Sequence, residues 1–424
     1  MNPDHTLDVW LDQRHVGEFV ALRRDHLRFT YSRDIVQEQG LGSLCLSTSL
    51  PVRAAAFSTA AATSWFEALL PDDPMRGALE RRFGVRRGDT FGLLAHIGAE
   101  CAGAVAVVGH GSVPPHDGWD YAPITNDELG SLLTELPVQP LGISDDVRLS
   151  LAGAQQKLLV TSYERKPGEI EWSLPLNGAP TTHILKPEPP EFPGLVHLEA
   201  FGLSLARRVL EGTSQQASAV SASNEELAGR RVLVVTRYDR AEDAAGVHRV
   251  HQEDAGQALG LPATTKYVGD PGSPTLAGLA AILRAHSADP LDSLKALLAA
   301  VIVQWVVGNA DAHIRNYSLI HQQGAVRLAP LYDVAPTIAF PQVSTTLALH
   351  VGAAETMREI TVAELQAEAN SWGLPRSSFD AVLMRAATNL QSHAIDVAPE
   401  GIPTHVLDHV AKVSELLAAH ALGR

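Results

Sequence analysis

The segment GNADAHIRNYSLI, from Gly308 to Ile320, places an aspartate, a histidine, an arginine and two asparagines directly after a very apolar stretch. Within it, Asp311 and Asn316 have the spacing at which an aspartate can orient an attacking hydroxyl and an asparagine can hold a metal ion. This pattern indicates phosphoryl transfer. Taken alone, the segment also fits a structural interpretation, in which Asn309 or Asp311 caps a helix and Asn316 lies in a turn.

A second acidic residue follows downstream. The sequence predicts a strand over Tyr317 to Ile320, a turn in HQQGA and a second strand in VRLAPLYDV that delivers Asp333. Protein kinases use the same order of catalytic loop, strand, turn, strand and second metal-binding aspartate. Two carboxylates and an amide that converge on one site would offer Mg²⁺ the oxygen ligands that it prefers. The alternative for Asp333 is a turn carboxylate at the end of a strand.

Residues upstream could bind a nucleotide. The small residues Ala152 to Gln155 join two predicted strands and would let backbone N–H groups approach phosphates closely. Lys186 ends a later strand, and Glu199 lies on the helix after it, where a glutamate could orient the lysine. Singly, each of these charges fits a solvated face better. Five elements in the order of a kinase favour the functional interpretation.

Together these segments resemble the HipA family, the serine/threonine-kinase toxins of bacterial toxin–antitoxin modules. The similar motifs run along nearly the whole chain: LLPD, FGLLAHIG, CAGAV, RLSLAGAQQK, TTHILK, RYDR, QEDAGQALGLPATTKY, GNADAHIRNYSL and LAPLYDV. The resemblance implies an α+β class protein with a two-lobed protein-kinase-like fold. Its N-terminal part would be mixed α/β and its C-terminal lobe all-helical.

The resemblance also implies a role for each matching residue. Asp311 would be the catalytic base, while Asn316 and Asp333 would coordinate Mg²⁺. Glu199 would orient Lys186. Residues expected to contact ATP are Ala152, Gly153, Ala154, Gln155, Gln156, Lys157, Lys186, Thr236, Arg237, Tyr238, His313, Asn316, Tyr332 and Asp333.

Two further groups of residues match positions near the family's active site. Thr236 to Tyr238 correspond to the inter-lobe segment that holds adenine. Because HipA members often carry an acidic residue where this chain has Thr236, we expect backbone contacts there. Gln252 and Asp254 correspond to polar residues packed beside the active site.

Regulation, partners and substrate class are implied as well. Ser150 would be phosphorylated by the kinase itself, although composition alone favours a strand-end serine with a local hydrogen bond. The expected partners are a HipB-like helix-turn-helix antitoxin, operator DNA reached mainly through it, and an aminoacyl-tRNA synthetase as substrate, with growth arrest and persistence as the outcome. The alternatives are a small-molecule or lipid kinase of the same superfamily and a catalytically silent corepressor scaffold.

Length and composition restrict the class of protein. The 424 residues suffice for two or three domains, and 45% hydrophobic with 19% charged residues is typical of a globular protein. The net charge of −15 argues against independent nucleic-acid binding. Cys45 and Cys101 are too few for a disulfide framework. The N-terminus lacks the features of a signal peptide, and the apolar run Leu297 to Gly308 is too short for a bilayer, so a cytoplasmic location without membrane association is expected.

Three segments are predicted to position these residues. Residues 1–140 would form a HipA-like N-terminal subdomain. Residues 141–255 would form the kinase N-lobe, with the phosphate loop, Lys186 and the hinge between the lobes. Residues 256–424 would form the helical C-lobe, which carries the catalytic and metal-binding loops.

Hydrophobic periodicity predicts the elements of the first segment. Alternation predicts two strands in LDVWLDQRHVGEFVA, joined by a turn at Gly17, and a third in LRFTYS. WFEALLPDDPMRGALERRFG predicts a helix broken at Pro71 and Pro74. TNDELGSLLTEL predicts a helix in which Thr125 is the N-cap and Glu128 completes a capping box.

The later segments follow in the same way. VRLSLAGAQQKLLVTS predicts strand, loop and strand, YERKPGEIEW a hairpin turn, and THILKPEP a strand ending at its lysine. GLVHLEAFGLSLARRVLEG predicts an amphipathic helix whose apolar face is Leu198, Phe201, Leu205 and Val209. Beyond Asp254 the chain is predicted to be almost entirely helical, and LLAAVIVQWVVG to be a buried helix that anchors the catalytic loop.

Overall fold

The computed structural model of the chain describes residues 5–23, 26–114, 119–144, 147–166, 169–243, 246–392 and 401–421. Its residues cluster into two compact units. The N-terminal unit comprises Met1–Pro189, Glu225–Glu253 and Gly260–Ala263, and the C-terminal unit comprises Pro190–Asn224, Asp254–Leu259 and Thr264–Arg424. The division into three segments at residues 140 and 255 stays a prediction.

The described residues form helices and strands with the following bounds. The helices are α1 (Arg33–Gln39), α2 (Thr59–Glu67), α3 (Met75–Arg82), α4 (Thr90–Ile97), α5 (Asn126–Glu135), α6 (Leu195–Leu210), α7 (Ala255–Ala258), α8 (Leu276–His286), α9 (Pro290–Val307), α10 (Val362–Ser371), α11 (Arg376–Ser392) and α12 (Thr404–Ala421). The strands are β1 (Thr6–Leu11), β2 (Arg14–Arg23), β3 (His26–Tyr31), β4 (Val105–Gly109), β5 (Tyr121–Ile124), β6 (Leu158–Lys166), β7 (Glu169–Pro175), β8 (His183–Pro187), β9 (Ala222–Leu227), β10 (Arg230–Thr236), β11 (Arg240–Asp243), β12 (Gly246–Arg249), β13 (Gln252–Asp254), β14 (Ser318–Gln322), β15 (Ala325–Leu328), β16 (Thr346–Val351) and β17 (Ala354–Thr356).

The first sheet of the N-terminal unit has the antiparallel order β3-β2-β1-β4. Its inner face is aromatic, and Phe19 stacks on Phe66 of α2 with ring centroids 4.1 Å apart. The turn predicted at Gly17 is wrong, because Gly17 lies within β2 and the turn is made at Asp12, whose φ is 53°. A Cβ at Gly17 would lie 2.2 Å from the carbonyl oxygen of Thr30, so glycine is needed there for close strand approach.

The second sheet of this unit has the order β5-β7-β6-β8-β10-β9. Lys186 lies on β8 opposite Leu233 of β10. The strand predicted to lead to this lysine is therefore present. The hairpin of β6 and β7 is also present, although its turn residues 167–168 lie outside the described residues. Thr125 and Glu128 cap α5 with both hydrogen bonds of the predicted capping box.

The strand predicted directly before the small-residue loop is wrong. Residues 147–151 have no regular structure, and β6 begins only at Leu158. Val147 and Leu149 are buried in the core of the first sheet, and the N–H of Ser150 donates to the carbonyl of Glu100 at 2.7 Å. The alternating apolar residues therefore pack as an extended segment on a core and do not join a sheet.

The C-terminal unit is built around α9. All but four of its residues are buried, and it packs against α6, α8, α11 and α12. By length and composition alone this helix could cross a membrane, but 78% of it is buried inside the described structure, as in the core helix of a globular unit. The predicted buried helix is confirmed, and it begins at Pro290, before the apolar run.

The remainder of the C-terminal unit is mainly helical. The predicted apolar face of α6 is confirmed, because Leu198, Leu205 and Val209 are buried and Phe201 is half-buried. The predicted strand and turn after the catalytic loop are present as the antiparallel pair β14 and β15. A second short pair, β16 and β17, was not predicted, so the lobe is not helical throughout.

One histidine of this core makes stability depend on pH. Nε2 of His409, on α12, lies 2.7 Å from the carbonyl oxygen of Trp305 at the end of α9. Burial lowers the pKa of His409, and the hydrogen bond to Trp305, which acts in the opposite direction, does not compensate. An unfolded histidine takes up its proton near pH 6.5, so stability is present above that pH and is lost as the pH falls below it.

We therefore expect His409→Gln to lose less stability than the wild type on acidification, because glutamine keeps a donor for Trp305 but does not titrate. Thermal unfolding measured from about pH 7.5 to about pH 5.5 checks this expectation. An equal loss of melting temperature in both proteins would contradict it.

Candidate active site

The catalytic-loop segment starts at the end of α9, where Gly308 adopts a left-handed conformation with φ 78°. Asn309 follows and makes three hydrogen bonds with its side chain. Its Nδ2 donates to Oε1 of Gln304 at 2.9 Å and to the carbonyl oxygen of Asp333 at 3.3 Å, and its Oδ1 accepts from the N–H of Asp311 at 3.1 Å. One buried side chain thus joins the core helix to both candidate acidic residues.

Thr337 adds a second connection between the start of this loop and the segment after Asp333. Its Oγ1 accepts from the N–H of Ala310 at 2.8 Å and donates to the carbonyl of Gly308 at 3.3 Å. The N–H of Ile338 donates to the same carbonyl at 3.2 Å. The loops that carry Asp311 and Asp333 are therefore held to each other at their bases.

The two carboxylates are exposed, whereas Asn316 between them in sequence is buried. Both carboxylates act on His313, whose backbone N–H donates to the carbonyl of Asp311 at 2.7 Å. Burial lowers the pKa of His313, and the negative charges of Asp311 and Asp333 oppose this shift without cancelling it. Asp311 and Asp333 therefore both lie close enough to His313 for their charges to act on its imidazole.

Asp333 has the backbone conformation of a constrained loop residue. Its φ of 53° is uncommon for a residue with a side chain and is often found at functional sites. β15 ends at Leu328, so the strand does not extend to Asp333 as predicted. The next carbonyl, that of Val334, packs against α6, where a Cβ on Gly202 would lie 2.1 Å from it.

Arg315 fixes the middle of the catalytic loop. Its Nη1 donates to both carboxylate oxygens of Asp254 at 2.9 and 3.1 Å, and its Nε donates to the carbonyl of Thr265 at 3.2 Å. The hydroxyl of Tyr332 donates to the carbonyl of Arg315 at 2.7 Å. Asp254 also caps the N-terminus of α7. Its carboxylate therefore connects this helix, through Arg315, to the catalytic loop.

The residues proposed for phosphate binding lie in the N-terminal unit. Nζ of Lys157 donates to the carbonyl of Ala152 at 2.6 Å, so the lysine folds over its own loop. Gly153 has a φ of 112°, which only glycine adopts readily, and its carbonyl accepts from the N–H of Asp72 at 3.3 Å. Ala154 and Gln156 belong to the same irregular stretch.

Ser150 is fully buried in front of this loop. Its Oγ donates to the carbonyl of Leu69 at 2.7 Å. This hydrogen bond reaches a distant segment, so the alternative of a strand-end serine with a local hydrogen bond does not describe the residue. The bonds to Leu69 and Glu100 hold the loop on the core of the first sheet.

Lys186 and Glu199 are both nearly inaccessible to solvent, with 6% and 4% of their surface exposed. This burial excludes the alternative that they are charges on solvated faces. Charged side chains at such positions are rare unless they serve a partner or a ligand. Lys186 belongs to the N-terminal unit and Glu199 to the C-terminal unit.

The segment proposed to hold adenine begins at the end of β10. Thr236 is exposed, whereas Arg237 is buried, and its guanidinium bonds Asp239 at 2.7 Å and Glu100 at 3.1 Å. The N–H of Arg237 donates to the carbonyl of Thr182 at 2.9 Å. Tyr238 donates to Oε1 of Gln252 at 3.0 Å. Arg237 therefore has a structural role through its side chain, which is not available to a nucleotide.

The donor atoms fit a nucleotide and a hard cation. Among the described residues, Nε2 of Gln155 and Nδ1 of His313 are buried and have no hydrogen-bond partner, which is costly unless a ligand supplies one. Asn316 and Asp333 offer the amide and carboxylate oxygens that Mg²⁺ prefers. Within the C-terminal unit, a phosphate oxygen could bond His313 and share the cation with Asn316 and Asp333.

Two protein-family models match this chain. The HipA-like C-terminal domain matches residues 149–394, and the HipA N-terminal domain matches residues 7–108. The chain belongs to the HipA family. The resemblance in the motifs is thus confirmed, and the HipA-family match includes every candidate residue named above between Ser150 and Asp333.

Relatives of this HipA-family chain support the same assignment. The protein Y4mE of Sinorhizobium fredii is 39% identical over 368 residues, which cover 85% of this chain and 83% of Y4mE. The serine/threonine-protein kinase toxin HipA of Shewanella oneidensis is 26% identical over 412 residues, covering 92% and 89%. A solved complex of Shewanella oneidensis HipA, HipB and operator DNA matches with a TM-score of 0.78 and 25% identity over 98% of this chain and 96% of that one. The predicted mixed α/β, kinase-like fold is therefore confirmed.

Sequence reasoning missed Asn309 and Arg315 as positioning residues. The sequence indicates Asn309 only as a helix cap and indicates no role for Arg315. A charged residue between Asp311 and Asn316 was the available signal, since a buried loop arginine needs an acidic partner.

Proposed function

We propose that this chain is an ATP-dependent serine/threonine-protein kinase. The observation that carries the proposal is the hydrogen bonding of Asn309, which joins the loop of Asp311 to the loop of Asp333 at the end of a rigid core helix. Phosphoryl transfer depends mainly on such positioning and on electrostatic stabilisation. The buried Lys186 and the kinase-like order of the elements support the same reaction.

In this proposal each group has one task. Asp311 orients the substrate hydroxyl and accepts its proton as the hydroxyl oxygen bonds the γ-phosphorus, the bond from that phosphorus to the bridging oxygen breaks, and ADP leaves. Asn316 and Asp333 would hold Mg²⁺, which neutralises phosphate charge when bound. Lys186, oriented by Glu199, and residues 152–157 would contact the phosphates. Backbone atoms of Thr236 to Tyr238 would contact adenine, and Tyr332 and His313 would complete the ATP-binding set.

The substrate and partners belong to the same proposal. The acceptor would be a serine or threonine of an aminoacyl-tRNA synthetase in the cytoplasm, and its phosphorylation would arrest growth and give persistence. A HipB-like helix-turn-helix antitoxin would bind this chain and carry it to operator DNA. Support comes from the Shewanella oneidensis complex, which contains HipA, HipB and operator DNA.

The test is incubation of the purified chain with labelled ATP, Mg²⁺ and a bacterial lysate, with Asp311→Asn as the matched control. Label on one protein, absent with the variant, supports the kinase toxin. Label on a lipid or a small metabolite supports a different kinase of the superfamily, and no label supports a silent scaffold. Phosphoproteomics after induced expression of both forms then identifies the target, and a set of targets without any synthetase would overturn the substrate class.

Operator binding should require the antitoxin. The net charge of −15 opposes the approach of DNA phosphates, so the isolated chain is expected to give no specific complex at physiological salt. A gel-shift assay with and without the antitoxin measures this. A tight, specific complex of the chain alone would contradict the expectation.

Phosphorylation of Ser150 should switch the enzyme off. A phosphoserine adds about −1.5 to −2 charges, which cannot remain at a site with no solvent exposure, so the loop must leave its bonds to Leu69 and Glu100. The displaced loop would no longer present residues 152–157 to ATP. Transfer between molecules is expected because a loop over the nucleotide cannot easily reach its own γ-phosphate.

Mass spectrometry should detect this phosphate on the wild type and not on Asp311→Asn, and the phosphorylated form should bind ATP weakly. Ser150→Ala should keep ATP binding and activity. Equal ATP turnover by phosphorylated and dephosphorylated protein would show that Ser150 is not a switch.

A further inference from the structure

A cluster of metal-ligating side chains lies on the first sheet of the N-terminal unit and includes no residue proposed for catalysis. Asp8 of β1 and Glu18 of β2 are direct cross-strand partners, and Asp8 also faces Val108 of β4. His110 follows the end of β4. Asp8, Glu18 and His110 each offer a ligand atom, and these three atoms lie within 4.8 Å of one another.

A second imidazole lies beside this cluster. Nε2 of His15 is 3.6 Å from Oδ1 of Asp8, and it is buried without a hydrogen-bond partner among the described residues. On the same strand as Asp8, Thr6 is 4% exposed, and its Oγ1 also has no partner in the described part of the chain. Because a buried polar atom without a partner is destabilising, a ligand bound on this face of the sheet would stabilise it.

The distances suit a small cation with close ligands. Nδ1 of His110 is 2.9 Å from Oδ1 of Asp8, and Nε2 of His15 is 3.6 Å from the same oxygen. In a tetrahedral site with bonds of 2.0–2.1 Å, ligand atoms lie about 3.3 Å apart. His15 is not part of the group within 4.8 Å, and rotation of its side chain would bring a fourth ligand atom to the other three.

The donor set selects the class of cation. Two imidazoles and two carboxylates are typical ligands of Zn²⁺ and similar transition-metal ions, whereas Mg²⁺ and Ca²⁺ prefer oxygen ligands alone. The N–H of Gly111 donates to Oδ2 of Asp8 at 2.7 Å, so the second carboxylate oxygen is already oriented by a backbone bond. Such outer hydrogen bonds orient metal-binding carboxylates.

We propose that Asp8, His15, Glu18 and His110 bind one Zn²⁺-type ion that links β1, β2 and the end of β4. The ion replaces the hydrogen bond between His110 and Asp8 and satisfies the unpaired nitrogen of His15. Its role is structural, because four protein ligands leave no position for a substrate. The site is independent of the kinase reaction.

The test measures Zn²⁺ binding to the untagged full chain by calorimetry in excess Mg²⁺, which occupies oxygen-only sites. The wild type is expected to bind one equivalent and to gain thermal stability with it. Glu18→Gln and His110→Ala, which change residues that are half-buried and exposed, should each weaken binding roughly tenfold or more.

His248→Ala is the matched control. His248 is another exposed histidine of the N-terminal unit that bonds an aspartate, Asp243, at 2.9 Å. It belongs to no group of three candidate ligands among the described residues. Its replacement should leave Zn²⁺ affinity unchanged.

Three outcomes would overturn the site: no stoichiometric Zn²⁺ uptake by the wild type, wild-type affinity in both ligand variants, or an equal loss in the control. Circular dichroism of each variant confirms that it is folded. Kinase activity takes no part in the measurement, so the result is separate from the proposed function.

Discussion

Replacing Asp311 with asparagine should reduce the rate of phosphoryl transfer by about 10²–10⁴-fold while leaving ATP affinity nearly unchanged. The variant keeps the size of the side chain and removes the proton acceptor. The position of the loop should persist, because Asp311 is held through its backbone N–H to Asn309 and its carbonyl to His313. Single-turnover rates and nucleotide dissociation constants, measured on the same preparation, separate the two quantities.

Asp333→Asn provides the contrasting variant, because it removes an anionic oxygen ligand and should weaken Mg·ATP binding. Asp380→Asn is the neutral control, since Asp380 is an exposed partner of Arg376 on α11 of the same unit. Turnover by Asp311→Asn close to that of Asp380→Asn would refute the role of Asp311 as base. Unchanged Mg·ATP affinity in Asp333→Asn would refute its role as metal ligand.

Local sequence patterns were sufficient for most of the elements that carry the site. The buried helix before Gly308, the capping box at Thr125 and the strand of Lys186 each depend on residues that are neighbours in sequence. Periodicity and capping report such local preferences directly. The motif resemblance then correctly placed the chain in a family whose members share this order of elements.

The errors arose where tertiary contacts override local preference. The alternation in VRLSL has the pattern of a strand, but Val147 and Leu149 pack on a core formed by other segments. Glycine is common in turns, but Gly17 lies within β2. A glycine is needed there because the strand passes too close to the carbonyl of Thr30 for a side chain. The residues next to VRLSL or Gly17 in sequence do not indicate which distant segment packs there or how closely it approaches.

The supporting residues of the candidate site were missed for the same reason. Arg315 finds Asp254 sixty-one positions earlier in the chain, and Asn309 bonds the carbonyl of Asp333 twenty-four positions later. A sequence motif identifies groups that do chemistry by their type. It does not identify the groups that hold them, because many polar side chains could serve that purpose at any given distance.

The buried network around Arg237 is a further consequence of distant contacts. Glu100, which has no exposed surface, accepts hydrogen bonds from Arg237 and Arg240, and Asp239 pairs with the same two arginines. Burial alone would raise the pKa of Glu100, but Arg237, Arg240 and Arg249 outweigh it and hold the pKa below its ordinary value. The carboxylate therefore stays charged inside the N-terminal unit.

Glu100→Gln should lower the free energy of unfolding by about 3–5 kcal/mol, because it leaves buried guanidinium groups without their counter-charge. Glutamine retains the volume of the side chain, so no cavity contributes. Glu38→Gln is the matched control, since Glu38 pairs with Arg14 in the same unit but both side chains are exposed. An exposed pair contributes at most about 1 kcal/mol. Urea unfolding followed by tryptophan fluorescence measures both values.

The same comparison at low pH tests the cause. A carboxylate whose pKa is depressed by folding stabilises the protein above its ordinary pKa of about 4.3, and this stabilisation is lost as the pH falls through the lower, folded-state value. The difference in stability between the wild type and Glu100→Gln should therefore shrink in acid, while the small effect of Glu38→Gln changes little. A difference that stays constant from neutral pH into acid would mean that lost packing, and not the charge of Glu100, destabilises the variant.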